Sequence, residues 1–350
     1  MYFITDIYYN NKSMLDINSF NNIISKNIKK IIRNEINQYN SVSIDNEYFS
    51  KFITNNSKKI RAYLVYIGYT LAGNFELNND ILNIASAIEI FHSSLLIHDD
   101  VIDNSFFRRG DKTFHKHYAD ILSSEEKGIS YAIMSGDLGL FLSIRLISNI
   151  NSEFKSSIIS LFSDTALKTM FGEIFDFFSS IDNIDDISYK DILEICNYKT
   201  AFYTIDMPLK LGIYFSGEIK NINLFNEYAY NLGLVYQISD DLNEIFLPFT
   251  ETGKDPFNDI KEGKINSVTK LTLEKTVGED KKYFESILRG NNKLDELKVR
   301  DIIKKSGAYD LLLKDIDNYS KKASELILSI KIPDNSKKYL LSLIESIRYR

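Results

Sequence analysis

The run NDILNIASAIEIFHSSLLIHDDVID, residues 79–103, decides how the chain is read. Ile81, Ile84, Ile88, Phe91 and Leu95 recur at the three- and four-residue spacing of a helix with one apolar face. The run ends in acid. Asp99 and Asp103 stand one turn apart on one face, with Asp100 beside them. A helix C-terminus already carries partial negative charge, so carboxylates crowded there call for a compensating cation.

A second helix repeats the design. Leu224, Tyr228, Leu232, Val235 and Ile238 form the stripe, and Asp240, Asp241 and Glu244 close it. All-oxygen donors of this kind suit a hard cation, Mg²⁺ above all, shared with substrate phosphates. A solvated helix end explains one such cluster; two, each closing a strongly apolar helix, favour a metal site.

The 350 residues carry 44% apolar and 26% charged side chains, a globular composition with a sizeable core. A net charge of −6 gives no support to a nucleic-acid or anionic-membrane partner. The lone Cys196 excludes an internal disulfide framework and suits a reducing cytoplasm. No secretory signal is read at Met1–Asn11, and the apolar windows are short and interrupted, as by Glu89 and Asp137, so no transmembrane segment is expected.

Prolines fall only at 208, 248, 256 and 333, and helix-period spacing fills nearly the whole chain. Helices are expected near 17–40, 57–74, 78–104, 128–150, 153–181, 188–217, 221–246, 264–276, 279–289, 294–306, 308–330 and 334–349. Charged loops at 105–127 and 247–263 interrupt them. The expected architecture is all-α: one helical domain over 17–350 around a central cavity, with 1–16 as a flexible arm.

Basic groups accompany the acids. Arg108 and Arg109 follow Asp103 in the next loop, and Lys58, Lys59 and Arg61 open a helix. His92 lies two turns before Asp99 on a similar face. Lys199-Thr200 sits in another helix, while Lys254 and Lys264 bracket the loop after the second acidic cluster. Each lysine or arginine alone reads as a solvated surface residue, and His92 alone as an ordinary, partly buried histidine. Gathered around paired acidic sites they suggest one or two diphosphates held between cations and metal.

From about Ser57 to Thr269 the chain resembles a trans-prenyltransferase of the polyprenyl synthetase family. The resemblance rests on Asp99-Asp100-x-x-Asp103 with Arg108-Arg109, on Gly136-Asp137 and on Gly172-Glu173-x-x-Asp176, where Glu173 replaces the family's glutamine. It continues through Lys199-Thr200, Tyr236-Gln237, Asp240-Asp241-x-x-Glu244, Gly253-Lys254 and Asp259 to Lys264. The family's GGKRxRP is kept only loosely, at Lys58 and Arg61.

The resemblance implies the isoprenoid synthase type I fold and head-to-tail condensation of isopentenyl diphosphate with an allylic diphosphate (dimethylallyl, geranyl or farnesyl). Asp99, Asp103 and Asp240 would hold about three Mg²⁺ ions, supported by Asp100, Asp241 and Glu244. Arg108, Lys199, Thr200, Gln237, Lys254 and Lys264 would grip the allylic diphosphate. Lys58, Arg61, His92 and Arg109 would bind isopentenyl diphosphate. A homodimer is expected from the resemblance alone.

The alternatives are a class I terpene cyclase, which would leave the second basic set without a role, and a regulatory subunit of a heteromeric synthase, which would commonly lack one acidic motif. Ser94 and Leu95, one turn before Asp99, form the expected chain-length wall and point to geranylgeranyl diphosphate (C20), with farnesyl diphosphate (C15) as runner-up. Phe91, or Phe171, Phe175 and Phe178, could close the pocket deeper, although an ordinary core stripe is the favoured reading of those last three.

Overall fold

Helix-period sequence becomes helix almost throughout. The computed structural model describes residues 14–36, 38, 46–55, 58–179, 187–218, 220, 222–253 and 255–348. The elements are α1 (Ile17–Ile36), α2 (Asn46–Thr54), α3 (Ile60–Thr70) and α4 (Asn79–Ile102), then a two-stranded hairpin, β1 (Phe107–Arg108) and β2 (Asp111–Lys112). Next come α5 (Phe114–Leu122), α6 (Glu125–Ser148), α7 (Lys155–Phe178), α8 (Tyr189–Cys196), a π-helical stretch (Asn197–Asp206) and α9 (Met207–Ser216). The chain ends with α10 (Leu224–Phe246), α11 (Phe249–Thr252), α12 (Asn258–Lys261), α13 (Ser267–Lys275), α14 (Gly278–Leu288), α15 (Glu296–Lys305), α16 (Ala308–Ser329) and α17 (Asp334–Arg348).

Side-chain caps set the helices that carry the site. Asn78 accepts from the Ile81 amide at the start of α4. Ser188 and Asp191 form a capping box on α8, and Asn266 and Thr269 form another on α13. The apolar stripes then pack into one core cluster running from Leu15 to Ile347, in which Ile81, Ile84 and Ile88 of α4 are fully buried. α4 lies along α6 and α3, while α10 lies along α16 and the π-helical stretch.

The structure departs from the sequence reading in several places. The expected 1–16 arm falls mostly outside the described residues, but Leu15 is docked: Tyr63 Oη donates to its carbonyl over 2.6 Å. The expected loop 105–127 holds the hairpin and α5, and 247–263 holds α11 and α12. The expected helix 188–217 is interrupted by the π-helical stretch.

α4 and α6 are long and apolar enough to span a bilayer by length and composition, against the reading of short windows. In α4 the apolar window is 78% buried inside the bundle, as expected of a core helix. In α6 it is 33% buried, and Met134 and Phe141 face outward. Phe171, Phe175 and Phe178 on α7 are neither core nor pocket floor. They are exposed, together with Leu167 and Ile174, as one apolar stripe. The stripe has helical period whichever body covers it, so its spacing alone could not reveal which.

Candidate active site

Both acidic motifs line one cavity of about 780 Å³. At the end of α4 the Arg108 guanidinium is bound twice, Nε donating to Asp100 Oδ1 over 2.6 Å and Nη2 to Asp99 Oδ2 over 3.0 Å. Burial alone would depress this guanidinium, but Asp100, Asp99 and Asp103 outweigh it and hold it above its ordinary value. Asp100 is fully buried and is absent from the cavity lining. The structure therefore assigns it to fixing Arg108 rather than to facing a metal.

The Lys199 ammonium lies 2.7 Å from Asp176, 2.9 Å from Glu173 and 3.9 Å from Asp99. Burial opposes its charge, yet these carboxylates keep it well above the usual lysine range. Lys264 donates to Asp103 over 2.5 Å and lies 3.2 Å from Glu262. Asp103 is nonetheless pushed up to about 7, first by burial and then by the Asp99 charge.

On α10 a relay positions Asp241. Thr200 Oγ1 donates to Gln237 Oε1 over 2.6 Å, and Gln237 Nε2 donates to Asp241 Oδ1 over 2.8 Å. Ser267 Oγ donates to Asp241 Oδ2 over 2.6 Å. Burial raises this carboxyl to about 7, and the Asp259 charge adds to the shift. Thr200 and Gln237 line the cavity as expected, but the contacts they make are to each other and to Asp241. Glu244 accepts from the Asp259 amide over 2.8 Å, and Asp240 faces the same cavity.

Among the described residues no three His, Cys, Asp or Glu side chains form a ready-made cation cage. The oxygen donors are spread over two helices, with lysines set among them. Asp99, Asp103, Asp240 and Glu244 all line the cavity, and the raised Asp103 carboxyl marks negative charge that Lys264 only partly relieves. That donor set fits a hard dication completed by ligand oxygens.

A second basic set lines the same cavity. Arg61 Nη2 donates to Thr204 Oγ1 over 2.8 Å and to Tyr203 Oη over 3.2 Å, with its guanidinium 4.7 Å from the Tyr203 ring centre. His92 Nδ1 stands 3.5 Å from Tyr203 Oη. Burial, followed by the charges of Arg61, Arg109 and Arg108, holds this imidazole neutral, well below 6.5. Arg109 and Gly110 both have positive φ, 55° and 83°, as a tight two-residue hairpin turn requires. The turn sends consecutive arginines to different partners: Arg108 to α4, Arg109 into the cavity. Gly110 N donates to Gly253 O over 3.2 Å, which latches the hairpin to the segment after α11.

Two basic sets around paired acidic helices are what a site for two diphosphates requires. The polyprenyl synthetase family pattern matches residues 43–306. The chain belongs to the polyprenyl synthetase family. It is 27% identical to geranylgeranyl diphosphate synthase of Sulfolobus acidocaldarius, over 92% of this chain and 96% of that one. It is also 27% identical to the Saccharolobus solfataricus enzyme of the same name, over 93% and 96%. Geranylgeranyl pyrophosphate synthase from Corynebacterium glutamicum, solved with isoprenyl diphosphate and magnesium, superposes with a TM-score of 0.88 at 22% identity, covering 96% and 100% of the two chains. The fold is the all-α isoprenoid synthase fold, and the enzyme is a trans-prenyltransferase that elongates prenyl diphosphates.

Of the residues expected in the enzyme's site, Lys58, Arg61, His92, Leu95, Asp99, Asp103, Arg108, Arg109, Lys199, Thr200, Gln237, Asp240, Asp241, Glu244 and Lys264 line the cavity. Lys254 lies outside the described residues. Ser94 is turned away: its Oγ lies 2.1 Å from where a Cβ on Gly139 of α6 would stand. Leu96 joins Leu95 on the wall instead.

Sequence reasoning missed Glu89, Tyr203 and Ser267, and it counted Lys59 among the basic groups without giving it a site role. Glu89 is buried in the cavity wall, where it accepts from the Ala62 amide over 3.0 Å. A glutamate inside an otherwise apolar helix face was the available signal. Lys59 is buried, with Nζ donating to Thr54 O over 2.8 Å, whereas its neighbour Lys58 is exposed.

Proposed function

We propose that the enzyme joins isopentenyl diphosphate to dimethylallyl, geranyl or farnesyl diphosphate, with geranylgeranyl diphosphate (C20) as main product and farnesyl diphosphate as runner-up. One observation carries this reading: a single cavity is lined both by Arg108, Lys199 and Lys264 among carboxylates and, separately, by Arg61, His92 and Arg109. A cyclase has no second diphosphate to occupy the latter set.

Asp99, Asp103 and Asp240 would hold Mg²⁺, about three ions, with Glu244 and Asp241 in support. Magnesium bound there supplies positive charge against the charge growing on the leaving diphosphate. Arg108 and Lys199 stand beside the same carboxylates and stabilise that diphosphate as its C–O bond breaks; Lys254 joins them on family likeness. Arg61, Arg109 and Lys58 hold the diphosphate of the acceptor, and the neutral His92 offers a hydrogen bond rather than a charge. The double bond of isopentenyl diphosphate attacks the allylic cation and forms the new C–C bond. The adjacent carbon then gives its proton to the departed diphosphate. Leu95 and Leu96 form an apolar, water-poor wall below the acids.

For product length, Leu95 only partly fills the upper wall. One turn deeper, Phe91 packs against Phe162 with ring centres 5.2 Å apart. The names of the Sulfolobus and Saccharolobus relatives support C20. The exposed α7 stripe supports a homodimer, and the lone buried Cys196 supports residence in the cytoplasm. Mg²⁺ with isopentenyl diphosphate and C5, C10 or C15 primers tests the reading. A C20 alcohol after dephosphorylation is expected, and a cyclised hydrocarbon without condensation would overturn it.

A further inference from the structure

Lys199 is the group best placed for the allylic diphosphate, yet it is already engaged. The glycine before Glu173 explains why. A Cβ on Gly172 would stand 2.5 Å from the Lys199 amide nitrogen, so α7 and the π-helical stretch touch backbone to backbone at this point. That contact fixes the distance at which Glu173, the next residue, meets the lysine: 2.9 Å from Oε2 to Nζ. Asp176, one turn further along α7, takes a second position at 2.7 Å. An ammonium has three protons to offer, and here two directions are spent on α7. Asp99 stands 3.9 Å away on a third side.

Asp176 alone would suffice to aim Lys199. Glu173 therefore adds a charge without adding a needed direction. Asp99 is shared with Arg108, so Glu173 and Asp176 crowd two negative charges on one ammonium, at the place where a trianionic group must arrive. An amide at 173 would keep a hydrogen-bonding oxygen on Lys199 and remove one of those charges. Burial and the neighbouring Asp99 also raise the Glu173 carboxyl to about 7, against the pull of Lys199.

We propose that Glu173 is a positioning residue that guards Lys199: its carboxylate holds the ammonium until a diphosphate displaces it, and so sets a weak affinity at the allylic site alone. The inference rests on the two-diphosphate reading given above. The guard acts on the first diphosphate and leaves the Arg61, His92 and Arg109 set untouched, because none of those groups contacts Glu173 among the described pairs.

Glu173→Gln is the test, with both KM values and the unfolding midpoint measured for wild type and variant at pH 8, where the carboxyl is ionised. Loss of one like charge beside the incoming phosphate should lower the allylic KM about tenfold, leave the isopentenyl KM within about twofold, and hold kcat within about threefold. Calorimetric titration with inorganic diphosphate and Mg²⁺ should show the same tightening without turnover. An allylic KM that is unchanged or higher, or equal shifts in both KM values, would overturn the proposal. If wild type itself failed to condense the two substrates, the two-diphosphate reading would fall instead. Should Glu173→Gln not fold, Glu173→Asp, whose shorter arm loosens the hold on Lys199, must still lower the allylic KM, and a rise would refute the guard.

Discussion

Lys264 donates to the carboxylate of Asp103 across 161 residues of sequence, over 2.5 Å. Three residues later Ser267 donates to Asp241 on the other acidic helix. The segment 264–267, braced by the Asn266 capping box, thus fastens both acidic motifs to the start of α13. Metal is therefore not the only cation that compensates the crowded acids. Arg108, Lys199 and Lys264 already do part of that work, and a metal-bound substrate would have to redistribute these pairs.

Metal dependence remains the first prediction. Asp99→Ala or Asp240→Ala should lower turnover roughly 10²-fold or more, the scale of losing one group that stabilises developing charge. Turnover that persists in EDTA would remove the metal from the mechanism.

The acid cluster also predicts how the metal-free protein responds to pH. Asp103, Asp241 and Glu173 each keep their proton to about 7 in the folded chain. Unfolded, they lose it near 3.8 for Asp and 4.5 for Glu. A carboxyl raised in this way stabilises the fold fully below its unfolded value, and that stability is gone once pH has passed the folded value. His92 and His115 work the other way below about 6.5, since burial lowers both, His115 to about 4. Three carboxyls outnumber two imidazoles, so the metal-free Tm should fall from pH 5.5 to pH 8, and Mg²⁺ should restore more of it at pH 8. Differential scanning fluorimetry in EDTA and in Mg²⁺ reads both; a metal-free Tm that climbs over this range would contradict the assignment.

The two basic sets should separate kinetically. Arg109→Ala removes a charge-assisted contact worth about 1.5–3 kcal/mol and should raise the isopentenyl KM by roughly one to two orders of magnitude. Lys199→Ala should act mainly on the allylic substrate. Because His92 is neutral, His92→Ala should cost less than Arg109→Ala and should add no salt dependence. Equal weakening of both substrates by every variant would merge the two sites into one.

What could be read in the sequence followed from local regularity. The stripes ending at Asp99 and Asp240 and the arginine pair lie at short spacing, and each is found where expected. α2 and α5 escaped because each is a nine-residue helix held by burial of Phe49 and Ile53, or of Phe114 and Tyr118, rather than by a long periodic pattern. The π-helical stretch has no apolar period of its own, yet it delivers Lys199, Thr200 and Tyr203 to the cavity. The Lys199–Asp99 and Lys264–Asp103 ion pairs join residues far apart in sequence, so no spacing rule could announce them. Ser94 and Leu95 were assigned to one wall together, but Leu95 and Leu96 face the cavity while Ser94 is turned towards Gly139 of α6, a contact between distant residues that local spacing does not announce.

The α7 stripe gives the prediction for assembly. Leu167, Phe171, Ile174, Phe175 and Phe178 repeat along one exposed face, and a contiguous apolar face of this kind marks an interaction surface. A Phe171→Glu and Phe175→Glu double variant should convert a dimer to a monomer in light scattering at micromolar concentration. A wild-type protein that is monomeric there would refute the dimer.

Chain length is where the structure changes the experiment most. If Ser94 stood on the wall, as its position before Asp99 suggests, a phenylalanine there would shorten the product. The serine side chain instead packs on Gly139, so a ring there must push α6 away from α4. Overpacking of this kind costs about 1–3 kcal/mol. Ser94→Phe should therefore lower Tm by several degrees while leaving the product distribution nearly unchanged. Leu95 does line the cavity, and Leu95→Phe places a ring in the path of the growing chain; the product should shorten from C20 towards C15. One turn deeper, behind the residues that line the cavity, Phe91 packs against Phe162 and Tyr203 as a floor layer, with ring centres 5.2 and 6.4 Å away. Phe91→Ala should open that floor and add one isoprene unit, at a stability cost of about 3–5 kcal/mol for a buried Phe. Chromatography of dephosphorylated products from the three variants reads all of this at once. Shortening by Ser94→Phe but not by Leu95→Phe would put the growing chain on the α6 side of the helix and reverse the assignment.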